Sequence, residues 1–395
     1  MRKLLHLLTF GVAVATLALT GGTSAMAQEV IKIGATAALT GPFANVYGVQ
    51  GKIWDAWTQA MNERGGIFVK KFNKKLPVKI IYYDDQGDPK TSVKFYERLV
   101  VQDNVDFLMA PPGSPIAFAA TTVAERYKVP MILGAATDPQ IYARGFKYLQ
   151  GTLVPATGWS FKFMELVKAK KQIKRVALLV EDSLYSKGVA IGIRQMASTD
   201  GLTLVYDQTL PADNQDFTAV IGQLKEAKPD LVYVSTFPPF FIRFAKQAAE
   251  LGLMPPAMHC ATCSAASIPS SLGSSTNGIS GEVVWSPGMK LGDYKLMERV
   301  VEISNVDPVQ WTFTMITIPV LEVLSAAIEK AGTLDRDTVF NTIKTSEVDT
   351  TIGHYKASPD GQGTLYPVAV QWQNNKLQVV WPDDAKTADY VYPRK

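Results

Sequence analysis

Two loops bearing hydroxyl groups carry the pattern nearest to chemistry. From Val105 to Pro139 the chain reads VDFLMAPPGSPIAFAATTVAERYKVPMILGAATDP. This order predicts an apolar strand, a Pro/Gly loop, a helix opened by Ser114 and Pro115, a second short strand and the loop Ala135-Ala136-Thr137-Asp138-Pro139. Ser114 stands where a helix N-cap belongs and Pro115 at the first helical position, so a hydroxyl and unpaired backbone N–H groups face the space beyond the strand end. Such a loop is an anion cradle. Thr137 offers a second hydroxyl from the neighbouring strand end, and open α/β sheets bind ligands at those carboxyl ends. Ser and Thr at such positions also simply cap helices.

Other reactive patterns are thinner. His259-Cys260-Ala261-Thr262-Cys263 holds three soft ligand groups in five residues. A metal site wants a fourth ligand, and His354 is the one other histidine beyond residue 27. A local disulfide or two packed thiols fits the pair, since a thioredoxin-like pair belongs in an early βαβ unit. The sequence has no Gly-x-Ser-x-Gly elbow, no His-Glu-x-x-His and no Gly-rich phosphate loop with Lys. Asp84, Asp85 and Asp88 cluster in a short turn before a helix start, where capping and solvation are their ordinary work. The expectation is therefore a protein without catalysis, cofactor or bound metal.

The elements that position the two loops alternate. A strand at Ile31 to Ala35 precedes a helix from Gly48 to Arg64, with Ile53, Trp54, Trp57, Ala60 and Met61 on one face. Ile67 to Tyr83 reads as a hairpin-like pair around a basic turn, and Lys90 to Gln102 as a helix. After a crossing at Tyr148 to Pro155 a second set begins, with strands at Arg175 to Val180, Leu202 to Tyr206, Leu231 to Ser235 and Pro256 to Cys260. Helices at Gly188 to Thr199, Phe217 to Ala227 and Phe240 to Leu251 separate them. Ser264 to Gly281 reads as a long surface connection. Trp311 to Lys330 and Arg336 to Thr345 read as helices, and a β pair closes the chain. This rhythm predicts a doubly wound α/β architecture in two lobes.

Arg2 and Lys3, an apolar run from Leu4 to Leu19 and Ala25-Met26-Ala27 have the order of a cleavable signal peptide over 1–27. The whole chain holds 40 basic and 36 acidic residues; without Arg2 and Lys3 the balance is 38 minus 36, or +2. So small a charge gives no reason to expect nucleic acid as a partner. The expectation from the leader is a soluble, exported protein.

The order IKIGATAALTGPFANVYG, MNERGGI, YYDDQGDPK, VPMILGAATDP, VEDSLYSKG, PDLVYVSTFPP resembles the leucine/isoleucine/valine-binding family of periplasmic receptors for ABC transporters. The resemblance implies a type I periplasmic binding fold of two doubly wound α/β lobes joined by three crossing strands. It assigns 28–149 and 285–354 to lobe 1 and 150–284 and 355–395 to lobe 2. It also implies a monomer that closes on a small ligand by a hinge and delivers it to a membrane permease. In amino-acid-binding members the ligand carboxylate lies against the loops corresponding here to Gly113-Ser114 and Ala135-Ala136-Thr137. The same resemblance puts Tyr185 and Phe237 on the second lobe's wall, and Phe43 and Tyr47 in a loop aimed at the cleft. Trp159 and Phe240 are expected to pack instead.

One departure bears on the ligand. Amino-acid-binding members carry an acid for the ligand ammonium in the second-lobe loop that here contains Ala261, and this chain has no Asp or Glu between Glu250 and Glu282. A buried ammonium without a charged partner costs several kcal/mol. The expected ligand is therefore an aromatic carboxylate of benzoate or phenylpropenoate type, held by Gly113, Ser114, Ala135, Ala136, Thr137, Tyr185, Phe237, Tyr47, Phe43 and Ala261. A branched-chain amino acid met by neutral acceptors such as Thr262 or Ser235 is the alternative. An exported thiol-disulfide enzyme using Cys260 and Cys263 is the alternative of another class.

Overall fold

Alternating apolar strands and one-sided helices build two open sheets, seen in a computed structural model that describes residues 30–394 except 266, 288, 309 and 310. The leader expected over 1–27 lies outside the described residues. The first sheet has five parallel strands in the order Val78–Asp84, Ile31–Ala37, Phe107–Met109, Met131–Leu133, Leu149–Gly151. The second has seven, in the order Lys376–Trp381, Val368–Gln373, Ile279–Val283, Ala257–Cys260, Leu231–Ser235, Arg175–Glu181, Thr203–Leu210. Its last two strands in sequence run antiparallel, and the other five parallel.

The helices form where burial and end chemistry agree. Helix Gln50–Glu63 buries Ile53, Trp54, Trp57 and Ala60 along one face. Helix Pro89–Val101 starts where the Asp88 side chain accepts a bond from Thr91 N at 2.7 Å. Helix Leu184–Thr199 begins four residues before its apolar spacing does, because Ser183 caps it through Ser186 N.

Three expectations change. The region 67–83 holds a hairpin of Ile67–Val69 with Lys74–Leu76, but Val78–Asp84 leaves it to pair in parallel with Ile31–Ala37. The helix expected from Trp311 starts at Ile318, after a 3-10 stretch Thr312–Thr317; Pro319 suits a first turn and would break an interior one. The small residues of 264–281 do not make a surface connection. They form the helix Ser267–Leu272 and the wholly buried strand Ile279–Val283. Gly281 is small because a Cβ there would lie 3.1 Å from Cys260 O and from the Cys263 carbonyl carbon.

The chain passes between the sheets three times. Gly151 ends the last strand of the first sheet, and the chain goes on into the second. After Val283 it returns, and helix Tyr294–Ser304 packs on helix Gln50–Glu63. Beyond the hairpin of Glu347–Thr350 with Gly353–Lys356 it crosses again, to Val368. The first and third passes run together: Leu153 bridges Leu365, and Val154 N donates to Leu365 O at 3.0 Å. Gly363 has to be glycine there, since a Cβ would fall 2.0 Å from the Thr152 carbonyl carbon. One buried apolar cluster extends from Ile31 and Phe107 on one side to Val176 and Tyr233 on the other.

Candidate functional site

The two hydroxyl loops meet, though not as N-cap logic predicts. Gly113, at φ 96°, takes the N-cap position of helix Ser114–Tyr127, Ser114 is its first residue and Pro115 its second. A positive φ at this junction is what the glycine permits. Ser114 Oγ turns to the neighbouring loop, where it accepts from Thr137 N and Asp138 N, both at 3.1 Å. Its own proton is left to be donated. The first-turn N–H groups of the helix have no intrahelical acceptor, so they are free to meet an acceptor outside the helix. Gly113 N, in turn, donates to Ala135 O at 3.3 Å.

Thr137 is 1% exposed, and its Oγ1 has no hydrogen-bond partner among the described residues. A buried hydroxyl in that state costs free energy unless something outside the protein meets it. Ala136 is buried beside it and Ala135 half-buried. Asp138 caps the short helix Pro139–Ala143; burial pushes its carboxyl up, opposed by the Gln140 N–H and by Lys187 across the cleft.

The facing wall is aromatic. Phe43 and Phe237 meet edge to face at 5.6 Å between ring centroids, Phe237 and Tyr185 at 5.4 Å, and Tyr185 and Trp159 edge to face at 5.7 Å. Phe43 comes from the first-sheet side and the other three from the second. The Phe43 loop is set by Asp84, whose carboxylate accepts from Leu39 N at 3.0 Å and from Thr40 Oγ1 at 2.6 Å. Phe237 precedes Pro238 at a helix start, and its N–H donates to Glu181 Oε2 at 2.8 Å. Burial raises the Glu181 carboxyl, and the bonds from Thr236 and Phe237 oppose that rise. Phe43, Tyr47, Gly113, Pro115, Ile116 and Phe237 enclose a narrow pocket at the seam. Helix Ser114–Tyr127 also meets helix Leu184–Thr199, where a Cβ on Gly188 would lie 3.2 Å from Asp138 Oδ2.

The structure thus brings Phe43, Tyr47, Gly113 and Phe237 around one space, with Tyr185 against Phe237 and the Ser114 and Thr137 hydroxyls on the adjoining loops. Ala261 is buried in the same apolar cluster as Tyr185 and Phe237. Trp159 joins the ring row, whereas Phe240 packs against Phe217 and Phe244 on the opposite face of the sheet. Thr262 Oγ1 and Ser235 Oγ both donate at 2.8 Å, to Thr236 O and Ser186 O, so each faces any further partner as an acceptor. Cys260 and Cys263 form a disulfide, and both are fully buried. Thiol-disulfide exchange needs an attackable sulfur, and this one is covered.

Sequence reasoning missed a buried polar group behind this wall. Tyr233, His259, Ser280 and Glu282 lie on three adjacent strands, all fully buried. The His259 ring stacks on Phe163 at 3.5 Å and tilts against Tyr233 at 4.8 Å. Its Nε2 lies 3.5 Å from Glu282 Oε2, and neither Glu282 oxygen has a hydrogen-bond partner among the described residues. Burial pushes the Tyr185 and Tyr233 hydroxyls far above the usual phenol range, and the Glu282 charge adds to it. The sequence signal was the pairing of these strands, which no local pattern announces.

Two α/β lobes joined by three passes of the chain have the architecture of the type I periplasmic binding fold. Residues 30–378 match the family described as periplasmic binding protein, and the chain belongs to that family. The Leu/Ile/Val-binding protein BraC3 of Rhizobium johnstonii is 27% identical over 389 residues, covering 94% of this chain and 99% of that one. Among solved structures, the branched-chain amino acid transporter substrate-binding protein LivJ of Streptococcus pneumoniae, in complex with isoleucine, is similar at a TM-score of 0.75 and 19% identity, covering 92% of this chain and 100% of that one. A solute-binding protein of an ABC transporter from R. palustris, in complex with benzoate, is similar at a TM-score of 0.73 and 16% identity, covering 92% and 98%. Both likenesses are likenesses of fold.

Proposed function

We propose that the protein captures a small aromatic carboxylate, of benzoate or phenylpropenoate type, in the periplasm and delivers it as a monomer to a membrane permease. The observation that carries this reading is the row of four rings, Phe43, Phe237, Tyr185 and Trp159, which crosses the seam between the two sheets. Stacked on such a row, a planar ring gains about 0.5–1.5 kcal/mol per aromatic pair beyond the area it buries. Gly113, Ser114, Ala135, Ala136 and Thr137 take the carboxylate; Tyr47 and Ala261 complete the walls. The lobes divide as 28–149 with 285–354 and 150–284 with 355–395, and closure is a population shift set by how much better the ligand fits the closed state.

A second reading is favoured by Glu282. If its carboxylate meets a ligand ammonium, the acid missing near Ala261 is replaced from a neighbouring strand, and a branched-chain amino acid fits. A thermal-shift screen of the mature protein separates the two. At ~100 times its dissociation constant a ligand adds ~2.7 kcal/mol. A shift with benzoates or cinnamates and none with leucine, isoleucine or valine supports the first reading. The reverse result overturns it.

A further inference from the structure

A second cavity lies on the side of the second sheet away from the ring row. Met258 precedes His259 on strand Ala257–Cys260 and so points to the opposite face. It joins the apolar cluster around Phe240 rather than the one that holds Tyr185 and Phe237. There Ala249, Leu253, Met254, Met258, Leu272 and Arg394 line a cavity of about 230 Å³. No aromatic ring among the described residues lines it, in contrast to the cleft, and Met254 is left 64% exposed.

Arg394 is seated there by its backbone. Its N–H donates to Pro256 O at 2.8 Å. Gly278, at φ 80°, gives it room, since a Cβ on that glycine would lie 2.5 Å from Arg394 Cβ. In the guanidinium, Nη2 donates to Ser275 O at 2.9 Å and Nη1 meets the weak acceptor Met258 Sδ at 3.7 Å. Nε is buried without a hydrogen-bond partner, and no carboxylate pairs with the group among the described residues. A guanidinium does not shed its charge, so a partly buried cation stands uncompensated beside an apolar space. That costs stability until an anion meets it.

We propose that this cavity is a second binding site, for an unbranched aliphatic carboxylate with its head on Arg394 and its chain along Leu253, Met254 and Leu272. The inference is independent of what the cleft holds. Charge selects the head, because a carboxylate accepts from a guanidinium in a charge-assisted bond, whereas an alcohol of the same length lacks the charge and an amine is repelled. The lining selects the tail, since leucine and the adaptable methionine side chains pack against a flexible chain without asking for a planar one.

The test is a titration of the mature protein, isotope-labelled at its methionine methyls, with octanoate, octanol and acetate, followed by NMR and repeated with Arg394→Gln and Ala249→Leu. The expected result is a saturable shift of the Met254 and Met258 signals with octanoate, at an affinity about 10- to 100-fold above that of octanol. Acetate, with no tail to bury, should leave them in place. Arg394→Gln should bring octanoate down to the level of the alcohol. Ala249 is exposed on its helix, so Ala249→Leu fills the space, keeps Arg394 and should weaken both ligands. It reads the site even where Arg394→Gln loosens the segment that Arg394 anchors. If octanoate and octanol bind alike, the cavity does not read a charge; if octanoate moves only methyls elsewhere, it binds elsewhere. Either result overturns the inference, and neither bears on the screen that tests the cleft.

Discussion

Replacing Thr137 with Val separates a ligand-binding hydroxyl from a structural one. Thr137 Oγ1 is buried and meets nothing in the protein, so the near-isosteric Val removes an unsatisfied polar atom and no internal bond. Stability should be unchanged or higher by up to about 1 kcal/mol, because leaving a buried hydroxyl unpaired costs about 1–3 kcal/mol. Affinity for the carboxylate ligand should fall about 10-fold, the worth of one hydrogen bond to a charged group. Ser114→Ala should behave oppositely in stability. It deprives Thr137 N and Asp138 N of their shared acceptor, a loss of about 2–4 kcal/mol with two buried N–H groups left unmet. Urea unfolding and calorimetric titration of both variants give the comparison. A Thr137→Val protein that loses more than about 1 kcal/mol and keeps its affinity would refute the assignment, since the hydroxyl would then serve the fold.

Two further outcomes follow from buried groups elsewhere. Glu322, on helix Ile318–Ala331, accepts from Thr351 N at 3.1 Å, and burial pushes its carboxyl from 4.5 up to about 7 against the opposing bonds from Thr351. Its folded-state value is the raised one, so its contribution is fully present below pH 4.5 and is lost as pH rises through about 7. The span corresponds to roughly 3 kcal/mol. Glu322→Gln should flatten that part of the stability profile between pH 5 and 8, and equal pH slopes for the two proteins would count against it. The Cys260–Cys263 bond closes a very short loop, which limits its entropic effect to about 2 kcal/mol. The double Ser variant should melt earlier by that amount and bind its ligand unchanged; loss of binding would reopen a direct role for the disulfide loop.

How much of this was legible follows the range of each signal. The alternation of strands and helices, the turn before the helix at Lys90 and the family order of six segments are local patterns, and they placed most strands of both sheets, with Val78–Asp84 and Ile279–Val283 the exceptions. The helix expected at Trp311 starts late because Pro319 belongs to a first turn. The surface connection expected at Ser264 was read from composition, and composition does not distinguish a small residue in a loop from one packed where nothing larger fits. Gly281, with Cys260 O and Ser264 N each 3.1 Å from where a Cβ would stand, is the plainest case.

The site divides along the same line. That the Ser114 and Thr137 loops neighbour each other was legible because loop chemistry at strand ends is written in consecutive residues, although the hydrogen bonds from Thr137 N and Asp138 N to Ser114 could not be. Glu282 was used as the far boundary of a stretch without acids, and by that count the second lobe lacked a charge for the ligand. In the sheet, strand Ile279–Val283 pairs directly with strand Ala257–Cys260, and Glu282 N donates to Ala261 O at 3.2 Å. The acid absent from the loop around Ala261 is therefore one strand away, joined to that residue by a backbone bond. Distance along the chain measured the wrong quantity, because pairing across the sheet brings in a carboxylate that a count along the loop leaves out.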